Sequence, residues 1–429
     1  MKTIARHIFD HAMRESSMSA AFQRHVSFER GVLRICDDLY DLNAYSRVFV
    51  IAIGKAAHSM VDALHQQTGQ RFEGILASPV QPEFHVRGFR YFHGGHPLPN
   101  GDSIRAGAAI LKSLSTLNES SLVIYLISGG ASACAEKPID EEISLDDLIQ
   151  TYRALVLSGA RIGEINSIRK HLSAIKGGRL AQAAYPAQQV SILISDVPDN
   201  APDALASGPT MPDSSTIGDC NSVLTKYSLL QEFPASVREL FERHVLEETL
   251  KSDDPAFIRA RWWTVLSNSN LLEAAKKEAE RQGFATFIDN SCDDWDYRKA
   301  ADYLLDRIRK LRQANERVCL LSGGEITVRV TDGGIGGRNQ QFALYCADKI
   351  VGDDICVLSA GSDGIDGNSD SAGAIVDGAT AKRAKARGLD LENHLASFNA
   401  YPLFEALNDS IVIGPTGNNL RDIRILLTG

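Results

Sequence analysis

The chain has 429 residues, 44% hydrophobic and 23% charged, with a formal net charge of −9. This is the composition of a globular protein long enough for a sizeable core and two domains. The negative field disfavours nucleic acid and acidic membranes as partners, and no apolar run approaches the ~20 residues of a membrane helix.

Residues 1–17 read as an amphipathic helix, since they lack the unbroken apolar core of a signal peptide. Residues 47–53 are a β-branched apolar strand, which Gly54-Lys55 turns into a helix reaching Gly69. Asn100 caps a helix that runs to about Leu117. The strand 123–127 ends in Ser128-Gly129-Gly130, and helices are expected at 145–157 and 164–185, the second interrupted at Gly177-Gly178. The strand 190–194 is continuously apolar, as strands buried on both faces are. A loop rich in Pro, Asp and Ser fills 195–220, and helical segments follow near 216–229 and 236–249.

Composition puts a boundary within 230–255, giving domains 1–240 and 241–429. The pattern then restarts with a strand at 262–266, a helix at 270–282, a strand at 285–288 and a helix at 297–313. A strand at 318–321, a glycine-rich loop, a helix from Arg338 and a strand at 355–358 come next. The last forty residues read as short helices around the segment 411–419. This alternation predicts an α/β protein: a Rossmann-like N-terminal domain and a second α/β domain. Seven scattered cysteines without CxxC spacing fit a reducing cytoplasm and argue against zinc.

The densest chemical signal lies at 320–344, where six glycines fall between Gly323 and Gly337, just before the helix start at Arg338. Glycine leaves backbone N–H groups open to an anion, a helix start adds donors, and a guanidinium can grip two oxygens. Ser128-Gly129-Gly130 and Ser322-Gly323-Gly324 repeat one device, each at a strand end, where open α/β sheets hold ligands. Lys55 opens a helix at such an end and could neutralise a phosphoryl group, or be a solvated first-turn lysine. It is not a Walker A lysine, because Phe49 stands where that motif's first glycine belongs. Gly334-Ile335-Gly336 begins a dinucleotide fingerprint, but Asn339 replaces its last glycine.

In the basic stretch 161–180, Arg169, Lys170, His171 and Lys176 could draw in an anion or form a solvated helix face. Asp196, Asp199 and Asp203 lie on one turn-rich loop; a carboxylate there could hold Mg²⁺, take a proton, or serve turn chemistry. The loop 361–367, with Asp363, carries the same ambiguity. His96, in the rigid turn 94–101, reads first as a structural histidine.

Together these motifs resemble the type II glycerate kinases, the glycerate 2-kinase family whose C-terminal part is the MOFRL domain. The matching pieces are AIGKAA (52–57), GGHPLPNGDS (94–103), LISGGASA (126–133), INSIRKHLSAIKGGRLA (165–181) and ISDVPDNAPDALASGPT (194–210). Further on come LSGGEITV (321–328), GGRNQQFAL (336–344), AGSDGIDGNSDSAGAIVDG (360–378) and GPTGNN (414–419). The resemblance implies phosphorylation of D-glycerate at its 2-hydroxyl with ATP and Mg²⁺, in a cleft between two α/β domains. It implies catalytic roles for Lys55, Arg338 and Asp196, and Mg²⁺ ligands in Asp196 and Asp363. Substrate and nucleotide contacts are implied for Ser128, Gly129, Gly130, Ser132, Asn166 and Lys170. On the C-terminal side they are implied for Ser322, Gly323, Gly324, Glu325, Asp363 and Asn419.

Ile335 and Gln341 depart from the family pattern, as does 198–202, so a related hydroxy acid stands beside glycerate as substrate. The competing readings are a hydroxypyruvate reductase using NAD(P)H, against which the missing fingerprint speaks, and a non-catalytic anion-binding protein. No nucleic-acid or membrane partner is expected, and a homodimer is one option for the assembly.

Overall fold

The computed structural model describes residues 1–198, 201–331 and 333–429. Their contacts form two units, one of residues 22–265 and one of residues 1–21 with 266–429.

The first unit opens with an antiparallel meander of β1 (Val26–Glu29), β2 (Val32–Ile35) and β3 (Asp38–Asp41). Its main sheet comprises β4 (Arg47–Ile53), β5 (Glu73–Ser78), β6 (Phe89–His93), β7 (Ser121–Ile127), β8 (Gln188–Ile194) and β9 (Ala260–Leu266). The strand order is β6-β5-β4-β7-β8-β9. Every pair from β6 through β8 is parallel. β7 is buried along its whole length and β8 along all but its first residue, which is why both read as unbroken apolar runs.

This is the doubly wound order 3-2-1-4-5-6. From β4 the chain winds outward through β5 to β6, then returns to the other side of β4 for β7, β8 and β9. The direction reverses between β4 and β7. Ile53 pairs with Ile127 and Ile127 with Leu193, so these strands end level with one another. The turns that follow them therefore gather at the switch point.

The second unit holds β10 (Ala285–Ile288), β11 (Val318–Gly323), β12 (Ile355–Gly361), β13 (Gly373–Asp377), β14 (Ser410–Ile411) and β15 (Asp422–Thr428). Its order is β10-β11-β15-β12-β13-β14. Only β10 and β11 run parallel; the other pairs are antiparallel. The fold is thus α/β with one largely parallel and one mixed sheet. Central to the mixed sheet is β15, a stretch read from sequence as part of a loop and short-helix tail. Asp422 and Arg424 interrupt its apolar pattern, yet both are buried. The segment read as a helix at 164–185 is two helices, Ile162–His171 and Arg179–Ala184, with Gly177 and Gly178 in left-handed conformation between them.

The sequence placed a division between 240 and 241, whereas β9 lies in the first sheet and the contacts change units at Leu266. The N-terminal helix Lys2–Glu15 belongs to the second unit, where it packs on the helix Asn268–Arg281 with Ala5, Ile8, Phe9 and Ala12 buried. Among the described residues no helix is long and apolar enough to cross a membrane. All seven cysteines are unpaired.

Because Phe9 is fully buried, Phe9→Ala is expected to destabilise the second unit by about 3–5 kcal/mol. Urea unfolding measures this, and a loss within about 0.5 kcal/mol, as at a surface position, contradicts the placement of the N-terminal helix.

Candidate active site

In the first unit the turns after β4 and β7 are tied together by backbone. The Ser128 N–H donates to the Ile53 carbonyl (3.1 Å) and the Lys55 N–H to the Gly129 carbonyl (2.9 Å). The Ala56 N–H donates to Ser128 Oγ (3.0 Å), which gives this buried hydroxyl a partner. Gly54 has φ +120°, and a Cβ there would overlap Ser128. A Cβ at Gly129 would overlap the Asp196 carboxylate, which follows β8. Lys55, Ser128, Gly129, Gly130 and Asp196 are thus brought together at the switch point. Lys55 is exposed, and among the described residues its ammonium makes no salt bridge or hydrogen bond.

Ser132 and Asn166 join through a residue missed in the sequence. Ser207 Oγ lies 3.0 Å from Ser132 Oγ and 3.4 Å from Asn166 Oδ1. Ala206 and Ser207 both have positive φ, at +54° and +61°. Such strain in non-glycine residues persists where surroundings enforce it, often at functional sites. The signal available in the sequence was the Ser-Gly-Pro turn at 207–209.

Lys170 sits elsewhere: it is buried, and its ammonium donates to Asp203 and Asp213 at 2.9 Å each. Two carboxylates already match its charge. Lys176 is also buried, paired with Glu136, which also accepts from Tyr152 (2.7 Å) and Ser173 (2.5 Å). Burial pulls the Lys176 pKa down to about 8 despite that partner. The basic stretch is therefore an internal ionic network, neither an open anion trap nor a solvated helix face. Asp199 lies outside the described residues.

The second unit treats its glycine loop differently. Ser322, Gly323 and Gly324 are buried. The Gly323 N–H donates to Asn290 Oδ1 (2.8 Å) and the Glu325 N–H to Asp293 Oδ1 (2.9 Å). The buried Arg424 donates to the carbonyls of Gly323 (3.2 Å) and Gly324 (2.8 Å). These backbone groups are satisfied within the protein, while the buried Ser322 hydroxyl has no hydrogen-bond partner among the described residues, and partial exposure begins at Glu325.

Arg338 is likewise engaged. It donates to both oxygens of Asp422, at 2.7 and 3.0 Å, and to Glu325 at 3.0 Å. Burial raises the Glu325 pKa, and the Arg338 charge opposes that rise. The free donors expected at the start of the helix Arg338–Lys349 hold a carboxylate of the chain itself. The Asn339 and Gln340 N–H groups donate to buried Asp366 at 3.1 and 2.8 Å. Two of the donors expected to meet an anion at this helix start are therefore occupied by the chain's own carboxylate. Asp422 and Asp366 were both missed. Asp422 had a signal, a polar-apolar alternation at the head of an apolar run; Asp366 had none beyond its glycine loop.

Glu325, Arg338, Asp363 and Asp366 line a cavity of about 670 Å³ whose apolar wall includes Ile326, Val328 and Phe398. Asp363 is half-buried, and its Oδ1 accepts the Ile365 N–H (3.2 Å). Asn419 Oδ1 accepts the Arg421 N–H (2.9 Å). Among the described residues no group of three or more His, Cys, Asp or Glu is placed to hold a metal unaided. A Mg²⁺ ion arriving with phosphates needs only one or two carboxylates. Asp196 and Asp363 are hard oxygen donors of the right chemistry.

Burial, the largest influence, pushes the Asp366 pKa up to about 6, against the N–H donors that favour its charge. A raised acid pKa means the folded chain holds the proton more tightly than the unfolded one. The contribution is full below the unfolded carboxyl's range, near pH 4, and is lost as pH rises through about 6. Asp366→Ala should cost about 1–2 kcal/mol at pH 7, as lost helix caps do, and more at pH 5. Urea unfolding at both pH values checks this; an equal or smaller deficit at pH 5 contradicts it.

The family described as "Domain of unknown function (DUF4147)" matches residues 4–242, and the MOFRL family matches residues 318–422. The chain is 36% identical over 387 residues to the D-glycerate 2-kinase of Thermotoga maritima, covering 88% of this chain and 90% of that one. It is 35% identical over 394 residues to an Agrobacterium vitis protein provisionally named a hydroxypyruvate reductase, covering 89% and 87%. Against the crystal structure of a Thermotoga maritima glycerate kinase the TM-score is 0.87 at 33% identity, covering 100% of this chain and 99% of that one. The chain belongs to the DUF4147/MOFRL glycerate kinase family and is an enzyme of the phosphotransferase class.

Proposed function

We propose that this enzyme transfers the γ-phosphoryl group of Mg·ATP to the 2-hydroxyl of D-glycerate, giving 2-phosphoglycerate. One observation carries the reading beyond family membership: the unpaired, exposed ammonium of Lys55 beside a glycine loop at the switch point of a doubly wound sheet. Phosphoryl transfer asks mainly for positioning and charge stabilisation. A bare cation among close-packed glycines supplies both for an oxyanion.

In this reading Lys55 meets the transferring phosphoryl group, and Ser128, Gly129 and Gly130 give the phosphates a surface without side-chain obstruction. Ser132, Asn166 and Ser207 orient the substrate through their shared hydrogen bonds. Lys170 acts indirectly, by fixing Asp203 and Asp213. In the second unit Arg338 contacts the substrates from a guanidinium fixed by Asp422. Asp363 lines the same cavity as Arg338, and Ser322, Gly323, Gly324 and Asn419 are assigned supporting contacts to substrate or nucleotide. Mg²⁺, held by Asp196 or Asp363, would neutralise charge on the phosphate oxygens. Unpaired thiols throughout support a cytoplasmic setting.

Adding D-glycerate to the protein with Mg·ATP should release ADP, and phosphorus NMR should show the 2-phosphate as the main product. NADH oxidation with hydroxypyruvate in the absence of ATP supports the reductase reading instead, and a dominant 3-phosphate signal removes the regiochemistry. Lys55→Ala and Gly129→Ala should each lower kcat/KM by about 10²-fold or more, the second by displacing the Asp196 carboxylate. Arg338→Lys should lose about 10²-fold, near 2.7 kcal/mol, since an ammonium cannot hold Asp422 and Glu325 as the fork does. A value within threefold of wild type for any of these removes that residue from the site.

A further inference from the structure

His96 lies in the turn after β6 and is exposed at its surface. The helix that follows is capped by Asn100, whose Oδ1 accepts the Ser103 N–H (2.9 Å), so the turn does not depend on the imidazole for its cap. Among the described residues neither ring nitrogen of His96 makes a hydrogen bond or ion pair. A structural histidine ordinarily spends at least one nitrogen on the protein.

The ring nevertheless lies close against Gly130. Gly130 has φ +81°, and a Cβ there would stand 2.9 Å from His96 Cδ2, 3.3 Å from His96 Nε2 and 3.2 Å from Lys55 Cγ. The imidazole and the Lys55 stem thus lie against the same glycine, with Nε2 among the nearest atoms. On the neighbouring residue, Gly129, it is the Asp196 carboxylate that occupies the corresponding space.

We propose that His96 is a substrate-binding residue of this site, its Nε2 accepting a hydrogen bond from the acceptor hydroxyl of the hydroxy acid. The inference rests on the kinase reading and adds to it the group that orients the nucleophile. Partial burial and the Lys55 charge lower the His96 pKa, which favours the neutral ring that can accept. Asp196 is then left to the metal or to the departing proton, while Lys55 faces the phosphoryl group. The ligand class is a small hydroxy acid, since the imidazole presents an acceptor to its hydroxyl while the Lys55 ammonium faces the phosphoryl group that the hydroxyl receives.

Two measurements on the full-length enzyme test this. In proton–carbon NMR with labelled histidine, the His96 ε1 signal, identified by its loss in His96→Ala, should shift when D-glycerate is added without ATP. In steady-state kinetics, His96→Ala should lower kcat/KM for D-glycerate by about 10- to 100-fold, as a lost hydrogen bond to a reacting group does. KM for ATP should stay within twofold. His96→Gln, which keeps an acceptor at the same reach, should recover most of the loss, and melting temperatures should match wild type. If wild type turns over glycerate but the His96 signal does not move, or His96→Ala keeps full kcat/KM, the inference fails and the kinase reading stands. An equal loss in His96→Gln and His96→Ala also overturns it, because the hydrogen bond would then not be the cause. No ADP release from wild type removes the kinase reading and this inference together.

Discussion

Everything at the candidate site depends on how closely the turns after β4 and β7 approach each other. Ile53 and Ile127 end their strands level, and three hydrogen bonds then lock Lys55, Ala56 and Ser128 across the gap. No room is left for a side chain at Gly54 or Gly129. Glycine is required there by proximity as much as by φ, and the result is a rigid floor over which the Lys55 and His96 side chains lie. A site held by backbone is precise to the degree that phosphoryl transfer demands.

The two glycine loops look alike in sequence and differ in electrostatic state. The loop at 128–130 faces an unpaired lysine. Around the loop at 322–324, Asn290 takes the Gly323 N–H, Asp293 the Glu325 N–H and Arg424 the Gly323 and Gly324 carbonyls, Asp366 caps the adjoining helix, and Asp422 and Glu325 hold Arg338. A guanidinium so compensated does not attract an anion over distance. It presents a fixed fork with little net charge, suited to recognising a shape that something else has drawn in. With Glu325, Asp363 and Asp366 on one cavity wall, the second unit offers a place for a phosphate that brings its own cation.

The strands that build the first site were legible because β4, β7 and β8 are buried and nearly all apolar, and β11 and β12 for the same reason. The glycine pairs after β7 and β11 were legible because few residues can occupy such turns. What escaped the sequence was long-range pairing. β15 hid behind Asp422 and Arg424, whose burial is tolerable only because Arg338 and two carbonyls, all distant in the chain, receive them. The basic stretch at 161–180 misled for the same reason, since Glu136, Asp203 and Asp213 take up its charge. The short strands β1, β3 and β6 carry mixed burial patterns that no local periodicity marks, and β5, although buried after Glu73, is only six residues long. Ser207 had only the Ser-Gly-Pro turn to mark it, because its contacts to Ser132 and Asn166 are distant in the chain.

The Lys55 ammonium is the cation left open to an anion, whereas the Arg338 charge is matched by the protein's own carboxylates. Calorimetric titration of a non-hydrolysable ATP analogue with Mg²⁺ into wild type and Lys55→Met tests it most directly, because methionine keeps the stem and removes only the charge. The account predicts an affinity at least about tenfold weaker, or about 1.4 kcal/mol, with an unchanged melting temperature. Equal affinity in the two proteins would contradict it.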